Sequence, residues 1–338
     1  MSNETFETAM RRALELALLG PAWGVNPQVG CVILDANDQI IAEGWHRGAG
    51  TAHAEVDALS KLSQVPAGAT AVVTLEPCNH TGKTGPCSQA LIAAGISRVV
   101  FAVTDPGAES SQGAQTLRDA GVEVLGGVLE SEASEQNRVW LTATKLQRPF
   151  VTLKWATSID GRAAANDGTS NWISGPESRA DSHQRRCEVD AILVGTGTIL
   201  ADDAELTARK PDGTLYEHQP MRLVMGNRDL PADARVFNDH ARAMQLRTHS
   251  IEDALATAWS EGVKHVWVEG GPSVASEFVR SGLVDEYIIY QAPLLLGGER
   301  TAIRDLGVAS MPQAKQLKFV EVKQLGEDIF IRAIEGGN

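Results

Sequence analysis

The two stretches His53-Ala54-Glu55 and Thr74-Leu75-Glu76-Pro77-Cys78-Asn79-His80-Thr81-Gly82-Lys83-Thr84-Gly85-Pro86-Cys87 carry an imidazole, two thiols and a carboxylate at suggestive spacing. Three protein ligands on zinc leave a fourth position for water, whereas a structural zinc staple more often closes with four. Zinc brings the pKa of such a water toward ~7. Glu55, two residues past His53 at the start of an expected helix, can take the water's proton and pass it to a leaving amine. His53, Cys78 and Cys87 are thus the expected zinc ligands and Glu55 the expected catalytic acid/base. Of the other two cysteines, Cys31 sits in an apolar strand and Cys187 ends a polar helix, and both read as structural.

Around this constellation, short β-branched runs alternate with helical stretches, the pattern of an α/β layer architecture. A helix over 3–19 puts Phe6, Met10, Ala13, Leu14, Ala17 and Leu18 on one face. Strands follow near 29–34 and 40–44, a helix near 53–62, and a strand at 71–75. After a helix starting near Cys87 come strands near 98–103 and 122–125, then a helix over 131–143. Pro149 after this polar helix end marks a boundary. We therefore expect two domains, 1–146 and 149–338. The second holds strands near 150–155, 191–194, 222–225, 263–268, 287–291, 317–324 and 329–334, with helices over 177–188 and about 272–280.

The 338 residues fit two domains, with 43% hydrophobic and 22% charged side chains, an ordinary globular balance. The formal net charge of -13 is shared between the halves, 10 basic against 16 acidic side chains up to Arg148 and 20 against 27 beyond it. Neither half offers the basic stripe of a nucleic-acid binder. No apolar run approaches the ~18 residues of a membrane span, and the start lacks a secretory pattern. A cytoplasmic enzyme acting on a small charged metabolite is expected, with neither nucleic acid nor membrane as partner; a homo-oligomer is compatible with this.

In the second half, two Gly-rich turns follow apolar strands: Val194-Gly195-Thr196-Gly197-Thr198 and Val268-Glu269-Gly270-Gly271-Pro272-Ser273. Glycine lets backbone approach a phosphate, and a helix N-terminus supplies N–H donors. Neither turn is G-x-G-x-x-G, so the usual Rossmann fingerprint is absent. Each alone reads more readily as a plain tight turn; their recurrence in one domain points to a phosphate-bearing ligand.

Zinc deaminases of nucleobases share a His-x-Glu…Pro-Cys-x-x-Cys signature. Here eight residues, not two, separate Cys78 from Cys87. With that longer loop and Asn26-Pro27-Gln28-Val29-Gly30, the first half resembles the deaminase half of the bifunctional riboflavin-biosynthesis deaminase/reductase family. Lys154-Trp155-Ala156-Thr157-Ser158-Ile159-Asp160-Gly161-Arg162, Trp172-Ile173-Ser174, Leu200-Ala201-Asp202-Asp203 and Glu269-Gly270-Gly271-Pro272 resemble its reductase half. The resemblance implies a cytidine-deaminase-like α/β/α sandwich followed by a dihydrofolate-reductase-like α/β domain, with one zinc ion per chain and NADPH as cofactors. The substrate it implies is a phosphorylated pyrimidine, 2,5-diamino-6-(5-phosphoribosylamino)pyrimidin-4-one. This is deaminated first, and its ribosyl chain is then reduced to ribityl.

It also implies contacts, residue by residue. Asn26, His46, His80 and Lys83 would meet the substrate in the first half, although an Asn-Pro turn or a solvated loop explains each of them alone. Ser170, Arg186, Leu206, Arg209 and Glu269 would surround the substrate in the second. The forked guanidinium of either arginine suits a phosphate, or equally an ion pair. Ala156, Trp172, Thr198, Asp202, Asn227 and the turn Gly271, Pro272, Ser273, Val274, Ala275, Ser276 and Glu277 would surround NADPH. Arg228 is expected to hold its 2′-phosphate, with Asp229 as an alternative partner. Two departures stand out: Val25 where the family has Pro, and Asp105-Pro106-Gly107-Ala108-Glu109 where it has Asp-Pro-Asn-Pro.

Overall fold

The computed structural model describes residues 3–80, 85–108 and 110–336. The chain forms two compact units, Met1–Gln147 and Arg148–Asn338.

In the first unit α1 (Asn3–Ala17), β1 (Gly30–Leu34), β2 (Ile40–Trp45), α2 (Ala54–Leu59), β3 (Thr70–Leu75), α3 (Cys87–Ala93) and β4 (Arg98–Val103) come first. They are followed by α4 (Gly113–Asp119), β5 (Glu123–Gly126), α5 (Glu130–Gln136) and α6 (Arg138–Leu146). The sheet order is β2-β1-β3-β4-β5. β1 pairs antiparallel with both neighbours, and β3, β4 and β5 run parallel. Strand alternation sorts the core into two layers. Val32 and Leu34 pack with Phe6 and Met10 of α1, while Cys31 and Ile33 pack with α2, α3 and α4 through Ala58, Leu91 and Leu117. Burial on both faces is why these strands read as unbroken apolar runs. Cys31 is fully buried, as expected of a core residue.

The helix expected over 131–143 is two helices, broken at Asn137 (φ −98°, ψ 15°). The buried Asn137 side chain binds backbone of a distant segment instead of continuing the helix to solvent.

The second unit holds β6 (Phe150–Ser158), α7 (Pro176–Arg186), β7 (Ala191–Gly195), α8 (Thr196–Asp202), β8 (Met221–Met225), β9 (Ala243–Leu246) and α9 (Ile251–Ser260). After these come β10 (His265–Val268), α10 (Pro272–Ser281), β11 (Glu286–Ala292), β12 (Leu317–Leu325) and β13 (Asp328–Glu335). Its sheet runs β12-β13-β11-β6-β10-β7-β8-β9, antiparallel where β13 meets β12 and β11 and parallel elsewhere. The parallel β6–β10–β7 centre is buried by Phe278 of α10 and Leu255 of α9 on one face and by Ile199 of α8 on the other. Arg148 forks onto Asp285 (2.7 and 2.8 Å), and Asp285 also accepts the Val151 N–H at 2.8 Å. The start of β6 is therefore locked from within its own unit. Among the described residues no helix is long and apolar enough to cross a membrane.

Candidate active sites

In the first unit, β3 leads straight into Glu76-Pro77-Cys78. α2 opens with His53 as its N-cap, and Cys87 is the first residue of α3. Three chain segments thus deliver His53 Nδ1 within 3.5 Å of Cys78 Sγ and 3.3 Å of Cys87 Sγ. Bond lengths of ~2.3 Å to sulfur and ~2.0 Å to nitrogen in a tetrahedron place such donors roughly 3.5 Å apart, so the set fits zinc. Its protonation chemistry fits as well. The Cys87 thiol, donating to Cys78, holds Cys78 down at about 4, while that same contact and burial drive Cys87 far up. Without a cation the pair keeps one proton; a dication allows both to be thiolates.

Glu55 lies in the first turn of α2, buried, with its carboxyl pushed up by that burial. The fit of α4 beneath the site requires Gly113, because a Cβ there would lie 1.7 Å from the Pro77 carbonyl oxygen. Glu76 accepts the Ala114 N–H (2.9 Å) and the Asp105 N–H (3.2 Å), which ties both ends of the 105–114 loop beside the ligands.

Asn26, His46, His53, Glu55, Cys78 and His80 all line one cleft of about 140 Å³. Lys83 lies outside the described residues. His46 Nδ1 sits 3.0 Å from the Ala52 carbonyl and so carries the hydrogen, leaving Nε2 to accept from Asn26 Nδ2 at 2.9 Å. Glu76, Asp105, Ser110 and Trp140 line the same cleft and were not singled out from the sequence. Val25 contributes its carbonyl, which accepts from the Trp140 indole at 3.0 Å, and Gly107 N–H closes onto Asp105 Oδ1 at 2.8 Å. Glu109 lies outside the described residues.

The second unit has a far larger cleft, about 650 Å³, within the ~300–1,000 Å³ usual for cofactor sites. It lies where β6, β7 and β10 end. Ala156, Ser170, Thr198, Asp202, Arg228 and Glu269 line it, as do the first four residues of the 271–277 turn. The Gly195–Thr198 turn is the start of α8, and Gly197 leaves space there for Arg228, whose Nη2 would sit 2.9 Å from a Cβ at that position. Arg228 Nε reaches Thr196 Oγ1 at 3.3 Å, and Asp229 pairs with Arg247 (2.9 Å).

The remaining expected contacts lie elsewhere. Arg186 sits behind the cleft, forked onto Glu269 (2.6 and 2.7 Å) with a third bond to the Thr207 carbonyl. Arg209 pairs with Glu205. Leu206 and Ala275 are core residues. Trp172 stacks on Arg179 in a separate depression. The Asn227 carbonyl accepts from Arg247, Ser276 Oγ bonds the Pro272 carbonyl, and Glu277 pairs with Arg280. The cleft also gathers His249, Arg300 and Arg304, cationic or titratable groups whose loop positions gave no sequence signal.

Glu269 joins Arg186 on one side to Lys154 Nζ on the other (3.6 Å), and its Oε1 also accepts from Trp267 Nε1 at 2.6 Å. Burial alone would raise its pKa, but Arg186 and Lys154 hold it well below the usual carboxylate range. Burial and the Arg186 charge push His183, one turn earlier on α7, down to about 4.

Known proteins share both units. A family model described as the cytidine and deoxycytidylate deaminase zinc-binding region matches residues 3–103, and the RibD C-terminal domain matches residues 149–331. Riboflavin biosynthesis protein RibD of Mycobacterium tuberculosis H37Rv is 48% identical over 309 residues, 91% of either chain. That of Escherichia coli K12 is 36% identical over 97% of this chain and 99% of its own. Acinetobacter baumannii RibD superposes with a TM-score of 0.92 at 35% identity, covering 99% of this chain and 100% of that one. A Thermotoga maritima diaminohydroxyphosphoribosylaminopyrimidine deaminase/5-amino-6-(5-phosphoribosylamino)uracil reductase does so with 0.89 at 32%, covering 99% of each. Such identity, sustained through the zinc unit and the cleft unit alike, shows that the chain belongs to the RibD family of riboflavin biosynthesis proteins.

Proposed function

We propose that this chain catalyses two consecutive steps of riboflavin synthesis. The first is hydrolytic deamination of 2,5-diamino-6-(5-phosphoribosylamino)pyrimidin-4-one, and the second is NADPH-dependent reduction of the ribosyl chain to ribityl. The observation that carries this reading is the presence in one chain of a His-Cys-Cys donor set beside a buried carboxyl and a cofactor-sized cleft floored by Lys154 and Glu269.

In the first unit His53, Cys78 and Cys87 hold the zinc, which when bound supplies Lewis acidity toward a water molecule. Glu55 accepts that water's proton and returns it to the departing nitrogen, so that C2 exchanges an amine for an oxygen and ammonia leaves. Asn26 turns its carbonyl toward the pyrimidine edge because its NH₂ is engaged by His46. His80 and Lys83 meet the phosphoribosyl part. In the second unit NADPH, when bound, would supply the hydride for reduction at C1′ of the ribosyl chain. Lys154, whose Nζ lies 3.6 Å from Glu269, holds the proton that the nitrogen requires. Ala156, Thr198, Asp202 and the turn from Gly271 surround the cofactor, and Ser170 faces the substrate. We place the enzyme in the cytoplasm, and its net charge of -13 supports action on this small phosphorylated molecule and not on nucleic acid. The test supplies the zinc-loaded protein with the diaminopyrimidinone, with and without NADPH. Ammonia and the deaminated product are expected without NADPH, and the ribityl product only with it; ammonia from tRNA but not from the pyrimidine would refute the reading.

Arg228 has no carboxylate partner among the contacts described for it, since Asp229 turns to Arg247. We assign it to the 2′-phosphate. Arg228→Ala loses a charge-assisted contact of roughly 1.5–3 kcal/mol, so KM for NADPH should rise on the order of tenfold or more while KM for NADH hardly moves. Equal weakening of both cofactors would remove the assignment.

We place the reductase activity in the second unit alone, starting at Arg148 and not at Pro149. A fragment from 148 to 338 should fold and reduce the deaminated intermediate. One starting at 149 leaves Asp285 without its guanidinium and should melt several degrees lower. Identical melting of the two fragments, measured by calorimetry, would deny Arg148 this role.

A further inference from the structure

We infer that Asn137 and Trp140, at the α5–α6 junction, are positioning residues for deamination that act through Asn26. The inference rests on the proposed role of Asn26 toward the pyrimidine.

Asn26 and Pro27 belong to no helix or strand, so neighbouring backbone groups must fix where the Asn26 amide stands. Those groups are gripped on both sides from a point more than a hundred residues away. On one side the Val25 carbonyl accepts from Trp140 Nε1 at 3.0 Å. On the other the Gln28 N–H donates to Asn137 Oδ1 at 3.1 Å, and the Gln28 carbonyl accepts from Asn137 Nδ2 at 2.8 Å. The Asn137 carboxamide thus matches one residue's donor and acceptor together, as a neighbouring strand would. It is buried, which makes each bond costly to leave unmade. Asn137 interrupts an otherwise continuous helix, and Trp140, one turn later, lines the cleft. The Gln28 side chain adds a third tie, Nε2 to the Gly20 carbonyl at 2.7 Å. Asn26 and Pro27 are left as a two-residue bridge between fixed points, and the remaining freedom of the Asn26 side chain is taken by His46. Only asparagine, or glutamine with a longer reach, offers both a donor and an acceptor of this kind; aspartate would set a charge against the Gln28 carbonyl.

The test is a double-mutant cycle on the zinc-loaded full chain, with zinc content and NADPH-dependent reduction of the deaminated intermediate as controls of integrity. Asn137→Ala and Asn26→Ala should each lower deaminase kcat/KM by about 10- to 100-fold, because small misplacement of a reacting ring is expensive. The double variant should be no worse than Asn26→Ala alone, with zinc content and reduction unchanged. Trp140→Phe keeps a ring in the cleft but removes the donor to Val25; it should show a loss of three- to tenfold that also vanishes on the Asn26→Ala background. It serves as the second variant if Asn137→Ala fails to fold. Multiplicative losses, or single variants within twofold of the parent, overturn the inference. If Asn26→Ala itself retains full activity, the proposed role of Asn26 fails and this inference with it. If Asn26→Ala is impaired while Asn137→Ala and Trp140→Phe are not, only the inference fails.

Discussion

Glu55→Gln should retain one zinc per chain and lose deamination by at least ~10²–10⁴-fold, the range removed when positioned proton transfer is lost. The amide is isosteric, so the buried pocket at the start of α2 is preserved, but it can neither take a proton from water nor return one to the leaving nitrogen. Cys87→Ser should behave differently. It removes one of three donors that approach within 4.8 Å of each other, so metal and activity fall together. NADPH oxidation with the deaminated intermediate should survive in both variants. Zinc lost from Glu55→Gln, or deaminase activity within a few-fold of the parent, would contradict the division of roles.

The second large effect is expected at Glu269. Its carboxylate is the counter-ion for two partly buried cations, Arg186 and Lys154. Glu269→Gln leaves both uncompensated, and breaking a buried pair from one side costs about 3–5 kcal/mol. For a unit of this size, at roughly 2–4 °C per kcal/mol, that lowers the melting transition by roughly 6–20 °C. The reductase should be inactive even below that temperature, and the deaminase should be unaffected. Linkage gives the pH dependence. The folded-state pKa is depressed, so the stabilisation is fully present above the usual carboxyl value of 4.5 and is lost as pH falls below it toward the folded value. Melting followed from pH 6 downward should show the parent losing this advantage while Glu269→Gln changes less. Parallel curves for the two proteins would show that Glu269 carries no such charge linkage.

The sequence made the zinc donors legible because spacing alone brings them together: a helix cap, a strand end and a helix start are all visible in the pattern around His53, Cys78 and Cys87. The α/β/α sandwich was implied by the family resemblance alone, whereas the α/β layering was also visible, in short apolar runs alternating with helical stretches. Asn137 was not, since an asparagine inside an amphipathic stretch reads as a tolerated polar residue, and its partner lies 109 positions away. Arg186 and Arg209 illustrate the converse. A guanidinium suits a phosphate and a carboxylate equally, and only the folded chain shows Glu269 and Glu205 occupying them. α9 was missed although its signal was present, with Ser250 capping the Asp253 N–H and Ile251, Ala254, Leu255 and Ala258 facing the core. α8 was hidden because Gly-Thr-Gly-Thr argues for a turn, and packing against β7 overrides that weak propensity.

Gly197 carries a consequence for how cofactor preference can drift between related enzymes. The guanidinium at the rim of the cleft lies where it does because position 197 has no side chain; a single methyl there would meet it at 2.9 Å. With Arg228 assigned to the 2′-phosphate as proposed, selectivity is open to change through a neutral residue that lines the same cleft. Comparing charged residues alone across relatives would overlook such a change, because the arginine would still be present and merely displaced.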